Sequence, residues 1–132
     1  MLCYKNGALA REEVRDRYAA GDWARFNELV EKTPPGNGDL VGLYFPLPEI
    51  IPPNVWGKFF FRVPPSDGEV ITPMPLDDLL PTAHPRAILE SQFLSIRSRI
   101  AAISPNAAYP LRRLVVTGGS SANQTRRELA AV

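Results

Sequence analysis

The chain has 132 residues, and its 15 lysines and arginines nearly balance 14 aspartates and glutamates, for a net charge of +1. That length fits one domain able to bury a core, and the balanced charge gives no electrostatic case for nucleic acid or an anionic membrane surface as a partner. A lone cysteine, Cys3, cannot form an internal disulfide, and with no signal-like stretch or long apolar span the expectation is a soluble chain in the reducing cytoplasm.

From the N-terminus, residues 1–4 are a short apolar start, and Lys5-Asn6-Gly7 is a turn signal joining two strands or a strand to a helix. Residues 11–20 read as a helix with Val14 and Tyr18 on one face and Gly21 as its stop. Asp22 is placed to cap a second helix, in which Trp23, Phe26 and Val30 recur at helical spacing before Thr33-Pro34-Pro35-Gly36 ends it. Trp23 can serve as a core residue or as a platform for a flat ligand.

Gly36-Asn37-Gly38-Asp39 is a turn, and residues 41–45 follow as a short strand. Its continuation, Pro46-Leu47-Pro48-Glu49-Ile50-Ile51-Pro52-Pro53, cannot be a central strand or a helix, because proline removes backbone donors. Residues 58–63, with Phe59-Phe60-Phe61, form a third strand candidate. Residues 64–85 hold six prolines and are expected to be a long surface connection without regular structure. With 14 prolines in all, about twice the average share of roughly 5%, the middle of the chain must be rich in loops.

Pro85 suits a first helical turn, where a missing N–H costs nothing. Beyond it Leu89, Phe93, Ile96, Ile100 and Ile103 line one helix face, which predicts a helix over 85–103 packed on a sheet. The only histidine, His84, reads as a loop residue or a helix start rather than a metal ligand. Ser104-Pro105-Asn106 closes the helix, and the chain re-enters through Tyr109-Pro110 to a strand over 111–116. Paired glycines, Gly118 and Gly119, then Ser120, Ser121 and Asn123, read as a turn into a helix. With no Cβ at either glycine, such a turn can bring backbone N–H groups against a phosphate or another polar group, although Gly-Gly also ends many ordinary strands.

The segments Arg86-Ala87-Ile88-Leu89-Glu90-Ser91-Gln92-Phe93 and Val116-Thr117-Gly118-Gly119-Ser120-Ser121-Ala122-Asn123 together resemble the C-terminal domain of the FGGY carbohydrate kinases. Within the family, Leu2-Cys3-Tyr4-Lys5-Asn6-Gly7, the Trp23 and Phe26 pair, Gly36-Asn37-Gly38 and Leu43-Tyr44-Phe45-Pro46-Leu47-Pro48-Glu49-Ile50-Ile51-Pro52 resemble the eukaryotic-type xylulose kinases in order and spacing. The likeness spans essentially the whole chain.

The resemblance implies an α/β fold: residues 1–132 as part of the C-terminal actin-like, RNase H-like ATPase domain of a two-domain sugar kinase. ATP would lie between the domains and, with Mg²⁺, its γ-phosphate would pass to D-xylulose, leaving ADP. It also implies that Gly118 and Gly119 approach the nucleotide, that Asn123 lies beside the adenosine, and that Trp23 stacks near the base. No catalytic residue or metal ligand is assigned to this chain, because the family's catalytic carboxylate, first phosphate loop and most of its sugar pocket correspond to sequence before Met1. Departures from the family pattern at residues 126–132 lead to the expectation of an internal piece of a kinase, inactive alone, lacking a final strand and helix. A non-catalytic nucleotide-binding or interaction remnant and a kinase for another sugar or polyol are the alternatives.

Overall fold

The computed structural model describes residues 3–64, 66, 69–103 and 113–131. Helix α1 spans Gly7–Tyr18, α2 Trp23–Lys32, α3 His84–Ile103 and α4 Gln124–Ala131, with strands β1 Leu40–Phe45, β2 Gly57–Arg62 and β3 Thr72–Met74 between α2 and α3. The strands form one antiparallel sheet in the order β1-β2-β3, with Leu43 opposite Phe59 and Phe60 opposite Met74.

Helix α1 begins four residues earlier than the periodicity predicts. Asn6 already supplies the first helical carbonyl, accepting from the N–H of Ala10 at 2.9 Å, so the Lys5-Asn6-Gly7 turn leads directly into the helix. At its end, Ala20 and Gly21 both take positive φ (53° and 76°), and the N–H of Gly21 returns to the carbonyl of Arg15 at 3.2 Å. Asp22 caps α2 as expected, its carboxylate accepting from the N–H of Ala24 at 2.8 Å, and α2 stops at Thr33, ahead of the two prolines.

The core lies where α1, α2 and β1 all meet the first half of α3. Ala10, Val14, Phe26, Val30, Tyr44, Phe60, Ala87, Ile88 and Leu89 are buried there. Arg86 is drawn in with them, donating to the carbonyl of Val30 (3.1 Å) and to the Glu90 carboxylate (2.6 Å), which in turn accepts from the N–H of Gly36 (3.1 Å). His84, the first residue of α3, is 2% exposed. Its ring stacks on Tyr18 at 3.8 Å between centroids, and its Nδ1 lies 2.8 Å from the hydroxyl of Tyr44.

Of the predicted apolar face of α3, Leu89 is buried, Phe93, Ile96 and Ile100 are half-buried, and Ile103 at the helix end is 69% exposed; Leu94, off that face, is 52% exposed. Two expectations need correction. Residues 64–85 are not wholly irregular: β3 and two short 3-10 turns, Leu76–Asp78 and Pro81–Ala83, interrupt them. Pro73 is tolerated because β3 is an edge strand, where a missing N–H breaks no ladder on its outer side. Residues 113–117 are not a strand; among the described residues they have no ladder neighbour, and a strand without one is not stable. Residues 111 and 112, Ser104-Pro105-Asn106 and Tyr109-Pro110 lie outside the described residues.

Candidate functional site

The four residues singled out by the sequence stand on α2 and on the segment leading into α4. Gly118 takes φ 86° and its carbonyl accepts from both the N–H (3.0 Å) and the hydroxyl (2.7 Å) of Ser121, which folds Gly119–Ala122 into a 3-10 turn. A Cβ built on either glycine meets nothing within 4 Å, so the backbone there is open to approach. Only Gly118 needs glycine for its backbone angle; Gly119 does not.

Asn123 does two things at once. Its Oδ1 accepts from the N–H of Arg126 at 3.0 Å, capping α4, and its Nδ2 donates to Oδ1 of Asn27 at 3.0 Å. Asn27 is one turn beyond Trp23 on α2, so Asn123 is tied to the helix that carries the tryptophan. A second tie, from the Thr125 hydroxyl to the Glu31 carboxylate at 2.8 Å, fixes α4 along α2.

Trp23 is half-buried. It packs edge-on to Phe26 at 5.2 Å, and the guanidinium groups of Arg15 and Arg126 lie over its ring at 4.7 and 4.6 Å from the centroid. The ring is therefore core and cation platform together, and a base could stack on a covered face only by displacing a guanidinium. Burial, and then the charge of Arg11, lowers the Arg126 guanidinium to about 10. Asn27, Arg15 and Arg126 had no place in the sequence reading. The signal for Arg126 was its position three residues after a helix-capping Asn; the partnership of Asn27 with Asn123 crosses 96 positions and left no local trace.

The arrangement suits an anionic, flat ligand in its chemistry: an open glycine backbone, an amide beside it, an indole and adjacent cations. Among the described residues no group of three His, Cys, Asp or Glu side chains converges. Trp23, Gly118, Gly119 and Asn123 line neither the cleft of about 350 Å³ beside Asp39 and Arg62 nor the one of about 100 Å³ beside Arg11 and Arg126. No helix among the described residues is long and apolar enough to cross a membrane.

Residues 1–131 match the FGGY family of carbohydrate kinases, C-terminal domain, and the chain belongs to that family. Among its relatives, xylulose kinase 2 of Arabidopsis thaliana is 36% identical over 94% of this chain and 22% of its own length. D-xylulose kinase A of Aspergillus niger is 38% identical over 98% of the chain and 26% of its own length, and a probable D-xylulose kinase A of Aspergillus terreus is 40% identical over 98% and 25%. The chain thus spans about a quarter of the length of these relatives.

Proposed function

We propose that the chain contributes the nucleotide-facing wall of an ATP-dependent kinase that phosphorylates D-xylulose to D-xylulose 5-phosphate, as part of an actin-like ATPase domain in the cytoplasm. The observation that carries this reading is the joining of Asn123, four residues past the open Gly119 backbone, to α2 one turn beyond Trp23. The relatives' names supply the sugar. In this reading the backbone at Gly118 and Gly119 leaves room for the nucleotide, Asn123 offers an amide to its polar edge, and Trp23 with Arg15 and Arg126 offers a flat cationic surface. Mg²⁺ and the base that activates the sugar hydroxyl belong to residues outside this chain, so the 132-residue chain alone makes no ADP in a xylulose-dependent way.

Titration of ATP against the folded chain tests the wall. Gly119→Val places a branched side chain where the fold has open space and an ordinary backbone angle, so it should weaken ATP binding while leaving the melting temperature unchanged. Trp23→Ala should weaken ATP binding more mildly, since stacking on a base is worth about 1–3 kcal/mol. A competing role for Trp23 as core alone is favoured by its contact with Phe26 and its two guanidiniums. In that case Trp23→Ala lowers the melting temperature and leaves ATP affinity unchanged, and an unchanged affinity in both variants sinks the site assignment.

A further inference from the structure

Successive turns of α2 each hold a residue from the start of α4. Trp23 lies under the guanidinium of Arg126 at 4.6 Å, Oδ1 of Asn27 accepts from Nδ2 of Asn123 at 3.0 Å, and the Glu31 carboxylate accepts from the Thr125 hydroxyl at 2.8 Å. Trp23, Asn27 and Glu31 recur at the i, i+4 spacing, so they form one ridge of the helix. The middle contact engages a side chain that has a second task, because Oδ1 of Asn123 also accepts from the backbone N–H of Arg126 at 3.0 Å. A primary amide has two N–H donors and two acceptor lone pairs. Asn123 uses one of each inside the fold, and one N–H and one lone pair remain for a ligand.

We propose, resting on the nucleotide-facing role assigned to Asn123, that Asn27 is a positioning residue that sets base choice: it holds the Asn123 amide in the orientation that pairs with adenine and not with a purine carrying a carbonyl at C6. Adenine presents an N–H donor at N6 beside ring acceptors at N1 and N7, and an amide meets such an edge with its oxygen on N6 and its nitrogen on the ring atom. Hypoxanthine and guanine present the reverse order at that edge, an acceptor at O6 and an N–H at N1. A freely turning amide therefore takes either kind of base by rolling over. For Asn123, rolling over would turn its nitrogen toward the N–H of Arg126 and its oxygen toward Oδ1 of Asn27, which breaks both hydrogen bonds and sets donor against donor and acceptor against acceptor. The backbone of α4 thus fixes the oxygen end of the amide, and Asn27 fixes the nitrogen end. Thr125 and Glu31 fasten the same helix without touching the amide.

Titration of ATP and of inosine triphosphate, which carries a carbonyl in place of the 6-amino group, tests this on the folded chain. The native chain should prefer ATP by at least about fivefold, the low end of what one bidentate amide–base pair discriminates. Asn27→Ala, which suits a helix interior, should bring the ratio to within about twofold of unity through loss of one hydrogen bond. Asn27→Asp keeps an acceptor oxygen for Nδ2 of Asn123 and should restore the preference; its added charge acts on both nucleotides alike and leaves their ratio unmoved. Thr125→Val cuts the neighbouring tie to Glu31, so it should lower the melting temperature without changing the ratio. Even if the Asn27 variants fail to fold, the native chain decides: one Nδ2 proton of Asn123 should be protected from exchange with water by nuclear magnetic resonance, and exchange as fast as that of a solvated amide would overturn the proposal. Equal binding of the two nucleotides by the native chain, full preference in Asn27→Ala, or a ratio that moves as far in Thr125→Val would each overturn it while leaving nucleotide binding at this wall intact. Absence of ATP binding to the native chain would retire the wall and the role of Asn27 together.

Discussion

Asn6 and Glu49, 43 residues apart in sequence, clasp the start of α1 to the proline-rich loop after β1. The Glu49 carboxylate accepts from the N–H groups of Lys5 (2.7 Å), Asn6 (3.1 Å) and Ile50 (2.7 Å) and from Nδ2 of Asn6 (2.9 Å). Asn6 completes the clasp by pairing with both backbone groups of Leu47, at 2.8 Å each. The Lys5-Asn6-Gly7 turn and the loop around Glu49 are thus one structural unit, and in a loop that proline bars from helix and sheet the N–H groups of Leu47 and Ile50 are satisfied by side chains, those of Glu49 and Asn54 by backbone carbonyls.

Removing the carboxylate leaves several buried donors without an acceptor. Glu49→Ala should cost about 3 kcal/mol, on the scale of lost hydrogen bonds to a charged group, and Glu49→Gln, which keeps one acceptor oxygen, distinctly less. Urea unfolding of both variants measures this. Burial alone would raise this carboxyl, but the N–H of Ile50, then Lys5 and Asn6, outweigh it and hold it below its ordinary value. Its contribution is accordingly present above the ordinary carboxylate range and lost as the pH falls through the lowered folded value.

Gly42 should tolerate no side chain. A Cβ there would stand 2.9 Å from the ring and hydroxyl of Tyr44 and 3.1 Å from the ring of Phe60, and both rings are buried against His84. Gly42→Ala should destabilise by about 1–3 kcal/mol through overpacking, against the small gain expected of Gly→Ala in an open strand. Equal or higher stability would show that the aromatic cluster can shift.

Stability should fall between about pH 6.5 and 4 because of His84. Burial, then the charges of Lys58 and Arg17, lower its pKa to about 4, against the pull of a hydrogen bond to the Leu79 backbone. Burial, and next Tyr18, keeps the facing Tyr44 phenol protonated as the partner of Nδ1. In that window the unfolded chain binds a proton that the folded chain does not, so lowering the pH favours unfolding, with a slope approaching about 1.4 kcal/mol per pH unit. His84→Gln should flatten this part of the profile, and an unchanged slope would reassign the effect to other groups.

The second half of α3 and residues 114–116 should bind an apolar dye. Leu94, Ile103, Leu114, Val115 and Val116 are all exposed, from 42% to 73%. Leu94→Lys with Val115→Lys should reduce dye fluorescence without lowering the melting temperature, since neither side chain belongs to the buried core. A cooperative melt from a chain that binds no dye would mean that this surface is covered in solution.

The residues alone determined what depends on neighbours along the chain. The Asp22 cap, the end of α2 before Pro34, the strands around Leu43 and Phe60, the helix over 85–103 and the family itself follow from spacing, proline chemistry and short motifs. Tertiary structure decided whatever depends on a distant partner. The side chain at Asn6 serves Glu49 rather than the helix cap, and β3 exists because Phe60 and Arg62 offer it a ladder. The segment 113–117, written in strand-forming residues, is not a strand, because β pairing needs a neighbour as well as propensity. The same holds at the candidate site: glycine, Asn and Trp are visible as residue types, but that Asn123 reaches Asn27 and that Arg126 covers Trp23 arises only when α2 and α4 pack together, since no local pattern encodes contacts across about a hundred residues, and Arg15 reaches the same ring only because α1 turns back on α2.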